Sequence, residues 1–226
     1  DWKWHLRQTQ ATERAARAQN DALAAQVGAE RARLDGAQQL ADAERQWRHN
    51  QGPQALPTVQ AMANDGNARA MVLLSAMLSE GRDIPKDHAQ AMDWLRKAAA
   101  QGSALAWVRL GTIYEKGLGE PRQPSLAENG YLKAARQGDP SGLYSLGLLY
   151  TQNLEGVGQR PVAAYMLLTL ATRAHEAHPQ DDSLTPHNHT AFWAPGALRR
   201  LATTMAVADV AERGADAWRP GMPLEF

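Results

Sequence analysis

The chain has 226 residues, 44% of them hydrophobic, a length between one and two average domains and a composition ample for a core. Its 24 basic and 24 acidic residues cancel, so neither nucleic acid nor an anionic bilayer is indicated as the main partner. The absence of cysteine excludes a disulfide framework and thiolate chemistry, and does not choose between cytoplasm and periplasm.

The chain starts at Asp1 with DWKWHLR, where Trp2 and Trp4 stand beside Lys3, His5 and Arg7. Trp next to basic residues is typical of a membrane interface just outside a spanning helix, so a removed upstream signal or anchor segment is one reading. The other is a plain domain boundary, with Trp2 and Trp4 packed on the next helix. No apolar run reaches the roughly 18 residues of a membrane span. From Thr9 to Arg48 the chain is rich in Ala, Gln, Glu and Arg without Pro, which predicts one long helix, or two broken near Gly28 or Gly36. Val27, Leu34 and Ala41 are seven apart, with Leu23 and Ala37 on the companion seam, but Glu30 and Glu44 fall on that seam too. Leu40 and Trp47 favour a cap on the following domain for residues 37–49. For residues 1–30 a stalk and self-association both stay open, and residues 1–50 are taken together as an N-terminal helical stalk or cap.

Gln51-Gly52-Pro53 then breaks the helix, and Ala55, Val59, Met62 and Ala63 suit the second helix of a degenerate opening unit. Beyond it the pattern becomes periodic. Gly66, Gly102 and Gly138 stand 36 residues apart, followed at +4 by Ala70, Ala106 and Gly142 and at +8 by Leu74, Leu110 and Leu146. Leu78, Tyr114 and Tyr150 stand at +12, and Ala91, Ala127 and Ala163 at +25. A period in this range means helix pairs that must stack on neighbours to bury their apolar faces. Helix A carries the +4, +8 and +12 positions on one face. Gly81 and Gly117 at +15 end it as left-handed caps, Asp87 caps helix B, and Ala91, Trp94, Leu95 and Ala98 form the buried side of helix B. Gly111 and Gly147 at +9 cost roughly 1 kcal/mol of helix propensity each, which implies that the partner helix crosses too closely for a side chain.

The segment from Gly81, GRDIPKDHAQAMDWLRKAAAQGSALAWVRLGTIYEKGLG, resembles the Sel-one-like repeat family, a relative of the tetratricopeptide repeats. A tetratricopeptide array would keep a 34-residue period and lack the Gly at +15. Ser75 in place of Gly at +9, Leu78 in place of Tyr, and Asn153 in place of Gly at +15 depart from the family pattern. The resemblance implies an all-α fold: a short right-handed α-solenoid of helix-turn-helix repeats over 55–218, with the long N-terminal helical extension before it. Its units lie near 66–101, 102–137 and 138–173, followed by an insertion at 176–196 and closing helices at 197–218. AYMLLTLATRAH from Ala164 is similar to the family's last regular helix B, and LRRLATTMAVADVAERGADAW from Leu198 to its closing helices.

The insertion contains Pro179, Pro186 and Pro195 and reads as an irregular loop. It brings together His175, His178, His187 and His189, with Asp181 and Asp182. Zinc would need such donors at roughly 2.1 Å, yet HEAH lacks the i,i+4 spacing of HExxH, and HNH stands without nuclease context. A solvated loop is the plainer reading, a pH-sensitive contact is a second, and a metal-dependent hydrolase is the remote one. No phosphate loop, dinucleotide fingerprint or nucleophile elbow occurs elsewhere. Gly117-Leu118-Gly119 follows a helix and belongs to the interhelical turn, and Trp94, Trp107 and Trp218 suit packing. No catalytic residue, metal ligand or cofactor is therefore expected, and the chain reads as a non-enzyme.

What remains is a binding surface. By resemblance, the A helices line the inner face of the curved array. Positions +3, +7, +10 and +14 vary between units while the packing positions repeat: Arg69, Leu73, Ala76 and Glu80; Leu105, Arg109, Thr112 and Lys116; Ser141, Ser145, Leu148 and Gln152. Leu beside Arg and Lys suits a protein-binding groove. The partner expected is a protein, with no nucleic acid, and self-association through the N-terminal helix is a further possibility. Some members of this family are immunity proteins against toxins delivered by type VI secretion, periplasmic lipases among them, and that role is the specific expectation here, in the periplasm or anchored facing it. Envelope scaffolding or regulation of a sensor kinase is the alternative.

Overall fold

The computed structural model describes residues 2–177 and 215–222. Its helices in chain order are α1 (Trp2–Arg48), α2 (Gly52–Asn64), α3 (Ala68–Glu80), α4 (His88–Ala100), α5 (Ala104–Lys116), α6 (Pro124–Arg136), α7 (Pro140–Thr151) and α8 (Pro161–Ala177). From α3 onward the A helices are α3, α5 and α7 and the B helices are α4, α6 and α8, so the described residues form a solenoid of helix-turn-helix units.

Residues at fixed repeat positions set the length of each A helix. Asn67, Ser103 and Asp139, one after each repeat glycine, accept the backbone N–H groups of Ala70, Ala106 and Gly142 and so start α3, α5 and α7. Gly81 and Gly117 stop the first two with left-handed φ of 65° and 71°, as expected. The third unit has Asn153 there, and α7 ends differently: Gln152 turns to extended backbone and the helix is one residue shorter than α3 and α5. Asp87 caps α4 as its position predicts, accepting from Gln90 N–H at 2.9 Å.

Gly111 is the slot the spacing implies. A Cβ there would lie 2.6 Å from ring atoms of Tyr131, which reaches in from α6 and is 1% exposed. At Gly147 a Cβ would meet Leu168 of α8 at 2.9 Å. Gly130 has the same role from the other side, since a Cβ on it would stand 2.8 Å from the Trp107 carbonyl oxygen. In consequence α5 and α6 touch backbone to backbone.

The tyrosines at +12 join successive units through a charge pair of alternating polarity. Tyr114 acts on Arg96 of the preceding α4, holding its guanidinium charged, and Arg96 faces Glu120 of the α5–α6 turn at 3.6 Å. Tyr150 donates to Glu128 of the preceding α6 at 2.6 Å, and Glu128 pairs with Arg160, just before α8, at 3.0 Å. The preceding B helix supplies the cation in the first case and the anion in the second.

α1 is one unbroken helix of 47 residues, roughly 70 Å long at 1.5 Å per residue, with Gly28 and Gly36 inside it. From Trp2 to Asp35 every residue is exposed. Trp2 and Trp4 are 69% and 58% exposed, so they do not pack on a following helix. The last turns behave as a cap: Leu40, Ala43 and Trp47 are buried in one core with Val59 of α2 and Leu74 of α3. Glu44 faces the body as well, 7% exposed, which removes it from the coiled-coil seam on which its spacing placed it.

The other end is sealed by the described part of the C-terminal segment. Trp218 joins the core of α6, α7 and α8, Arg173 pairs with Asp216 at 2.6 Å, and Gly221 N–H donates to the Arg136 carbonyl at 2.7 Å. α8 runs on through Ala177, into the first two positions assigned to the insertion. The rest of the insertion and most of the closing helices lie outside the described residues.

Candidate protein-interaction face

On α5, Trp107, Leu110, Gly111 and Tyr114 face the B helices, and Leu105, Arg109, Thr112 and Lys116 form the opposite stripe at helical spacing. Lys116 is exposed, Arg109 and Thr112 are half-buried, and Leu105 is half-buried and packs against the first core. On the third unit Ser141, Ser145 and Gln152 are half-buried, and Leu148 is 38% exposed. In the first unit Arg69 and Glu80 are exposed, and Glu80 pairs with Arg82 at 2.7 Å. Leu73 and Ala76 are not surface anchors. They are 3% and 5% exposed, within the core that also takes up Leu40, Ala43 and Trp47 of α1. The N-terminal cap closes that end of the face, so the variable stripe is open mainly on α5 and α7.

Two polar clusters shape the open part. Burial pushes the Arg109 guanidinium downward, while the negative charges of Glu80 and Glu44 pull it back up. Arg109 on α5 thus stands in the field of carboxylates from both α3 and α1. The second cluster is built by Tyr131, whose ring passes over Gly111 and delivers its hydroxyl to Glu115 Oε2 at 2.7 Å, with Thr112 Oγ1 at 3.2 Å. Gln152 Nε2 donates to the other oxygen of Glu115 at 3.4 Å, linking α5 to the end of α7. Burial drives the Tyr131 phenol far up; the hydrogen bond to Thr112 opposes the shift, and the charge and hydrogen bond of Glu115 add to it. The phenol is therefore held protonated, as a donor to a carboxylate.

Thr112 and Gln152 are thus brought together through Glu115 and Tyr131, which the repeat pattern did not single out. Glu44 was likewise missed as a neighbour of Arg109. The one signal for Tyr131 was a large residue in helix B that could fill the slot implied at Gly111. These groups make a hydrogen-bonding and charged surface. Among the described residues no three His, Asp or Glu side chains converge as metal ligands. His178, His187 and His189 lie outside the described residues, as does the side chain of His175.

On the far side, α4, α5 and α6 enclose an apolar pocket of about 290 Å³ over Trp107, Leu110 and Tyr114. That is at the lower limit of small-molecule sites, which start at about 300 Å³. Trp107 is half-buried, with Lys133 Nζ 3.8 Å from its ring centre, and Trp94 is covered in the same way by Lys97 at 4.2 Å. Both rings act as packing groups shielded by lysine.

The Sel1 repeat family model matches residues 68–103 and 105–139, in register with the pairs α3–α4 and α5–α6. The crystal structure of c5321, a protective antigen present in uropathogenic Escherichia coli strains displaying an SLR fold, is similar at 26% identity with a TM-score of 0.54. The similarity covers 72% of this chain and 33% of that one, so this chain spans about a third of that protein's length. A Sel1 repeat protein from Oxalobacter formigenes shares 28% identity over 57% of this chain and 92% of its own, with a TM-score of 0.47. No curated protein matches the chain. Residues 68–139 thus carry two Sel1 repeats, set in a solenoid of helix-turn-helix units.

Proposed function

We propose that this chain is a non-enzymatic module that holds a partner protein on the inner face of α5 and α7. One observation carries the reading: Lys116 of α5 and Leu148 of α7 are exposed beside the half-buried Arg109, Thr112, Ser145 and Gln152. Apolar anchors among hydrogen-bonding and charged groups suit a protein-binding groove. Sel1 repeats are commonly protein-interaction modules and generally non-enzymatic, which favours the same class.

The narrower proposal is an immunity protein that neutralises an antibacterial toxin delivered by type VI secretion, a lipase being the leading case, in the periplasm or anchored facing it. The exposed length of α1, Trp2 to Asp35, suits a stalk that lifts the repeats from a surface, and Trp2 and Trp4 beside Lys3 and Arg7 suit a membrane-proximal end. The partner would be neutralised by covering its active-site mouth or by holding it in an inactive shape.

The test is capture from a bacterial envelope fraction, comparing the wild-type chain with a Lys116→Gln, Leu148→Gln variant, in which both replacements keep good helix formers. One stoichiometric toxin-like enzyme, inhibited on titration with wild-type chain and lost by the variant at unchanged melting temperature, is the expected result. Recovery of envelope-assembly or signalling proteins alone would replace the immunity reading with a scaffold or regulator. Equal capture by both forms would show the face to be misplaced.

A further inference from the structure

The exposed part of α1 carries an apolar seam that nothing in the chain covers among the described residues. Of the large hydrophobic side chains exposed on this helix, Trp2, Leu6, Leu23, Val27 and Leu34 lie on one heptad seam, and Trp4 alone lies off it. With Val27 at an a position, the a series is Leu6, Glu13, Asn20, Val27 and Leu34, and the d series is Trp2, Thr9, Ala16, Leu23, Glu30 and Ala37. The stripe that caps the repeats, Leu40, Ala43, Glu44 and Trp47, takes up the next d position at Glu44, whereas the seam before it stays open at Ala37 and Ala41. The helix can therefore pair along its first part while its last turns cap the array.

We infer that α1 joins a second copy of the chain as a parallel, in-register, two-stranded coiled coil over about residues 2–37. Three observations commit the seam to this occupant. Val27 at a with Leu23 at d is the combination that favours two strands, and a single Asn at a, here Asn20, fixes register. Charge supports the parallel arrangement. A d side chain enters a hole that includes the e residue of the facing helix, so Glu30 meets Arg31 of the second copy in addition to its own Arg33, which it already holds at 2.7 Å. The flanking g and e positions that face one another in parallel are His5 with Gln10, Thr12 with Arg17, Gln26 with Arg31, and Arg33 with Gln38, so no two like fixed charges meet at the flanks; within the seam Glu13 and Glu30 each face their own copy, and Arg31 offsets the second. Size supports it as well: eleven seam positions and ten flanking positions give twenty-one residues a side, within the about 20–30 of a standard stable interface. Thr9, Glu13 and Ala16 leave the end nearest Trp2 weaker than the stretch from Asn20 to Ala37.

The test uses the full chain. Light scattering after size exclusion is expected to give double the chain mass at micromolar concentration. A Leu23→Lys, Val27→Lys variant is expected to give the single mass with an unchanged melting transition of the repeats, since both residues are exposed in the lone chain. A single mass for the wild type, or double mass retained by the variant, overturns the proposal. Orientation is read from cysteine, which the chain lacks. Val27→Cys faces its own copy in the parallel register and should oxidise to a covalent dimer, whereas Ala18→Cys, on the outer f position, should not. Cross-linking of both variants to the same extent, or of neither, refutes the parallel seam.

Discussion

Replacing Gly111 with Ala tests whether the repeat glycine is a slot for Tyr131. The helix itself gains about 1 kcal/mol of propensity from the change. Against that, the new methyl group would stand 2.6 Å from both Cδ1 and Cε1 of Tyr131 and 3.1 Å from Cζ. The ring is 1% exposed, and its hydroxyl is tied to Glu115 at 2.7 Å, so it cannot swing aside without giving up that bond. Overpacking of this kind costs about 1–3 kcal/mol, and loss of a hydrogen bond to a charged acceptor about 1.5–3 kcal/mol. The helix gain offsets part of this, leaving a net loss of about 2 kcal/mol. For a chain of this size each kcal/mol shifts the melting temperature by about 2–4 °C, so a drop of about 4–8 °C is expected in thermal unfolding followed by circular dichroism. Gly28→Ala is the matched control, because no atom lies within 4 Å of a Cβ there; it should raise helicity and leave the repeat transition unmoved. In a Tyr131→Leu background Gly111→Ala should become neutral or stabilising. Stabilisation by Gly111→Ala in the wild-type background, or an equal loss with Leu at 131, would refute the slot.

Two further predictions concern the phenols. Tyr150→Phe removes the bond to Glu128 at 2.6 Å and the contact with Arg160 at 3.0 Å, and should cost about 1–2 kcal/mol, read as a lower urea midpoint at constant slope. Tyr131 has a folded-state pKa above its unfolded value of about 10, so its contribution is fully present below about pH 10 and is lost as pH rises above that value. Urea unfolding at pH 8 and pH 11 should therefore show a larger loss for the wild type than for Tyr131→Phe, and equal losses would contradict the burial argument.

Residues that enforce geometry through their own backbone were legible in the sequence. Gly81 and Gly117 announced left-handed caps, Asp87 a helix start, and Gly111 and Gly147 close crossings, because each requirement acts on one position and recurs with the period. That Leu105, Arg109, Thr112 and Lys116 share one side of α5 follows from helical spacing alone. Leu73 was misassigned because its exposure depends on α1, whose capping residues share no period with the repeats. Glu44 was misassigned because heptad spacing ranks a face without knowing where the helix leaves the body. Tyr131 could not be picked out by repetition: its counterparts are Leu95 and Leu167, which carry no hydroxyl, so its hydrogen bond belongs to one unit alone. The Gln152 turn was hidden too, since Asn153 reports a missing glycine without saying which backbone replaces it.

The cap and the extension are one uninterrupted helix, and this bears on how the α5 stripe is presented. Glu44 on α1 and Glu80 on α3 both act on Arg109 of α5, so the charge at the centre of the face depends on where α1 lies. A hinge at Gly28 or Gly36 would have separated the two. Neither glycine interrupts α1, and a helix bends sharply only at particular features such as Pro or an inserted group. A parallel pair formed through the seam would place both repeat arrays at the same end of the coiled coil, with a single partner able to meet two faces. The second contact would then form at an effective concentration set by the helix geometry, about millimolar for short linkages. Leu23→Lys, Val27→Lys should accordingly weaken capture of a multivalent partner far more than capture of a monovalent one, although both residues lie well away from Lys116 and Leu148 in sequence and outside the repeats.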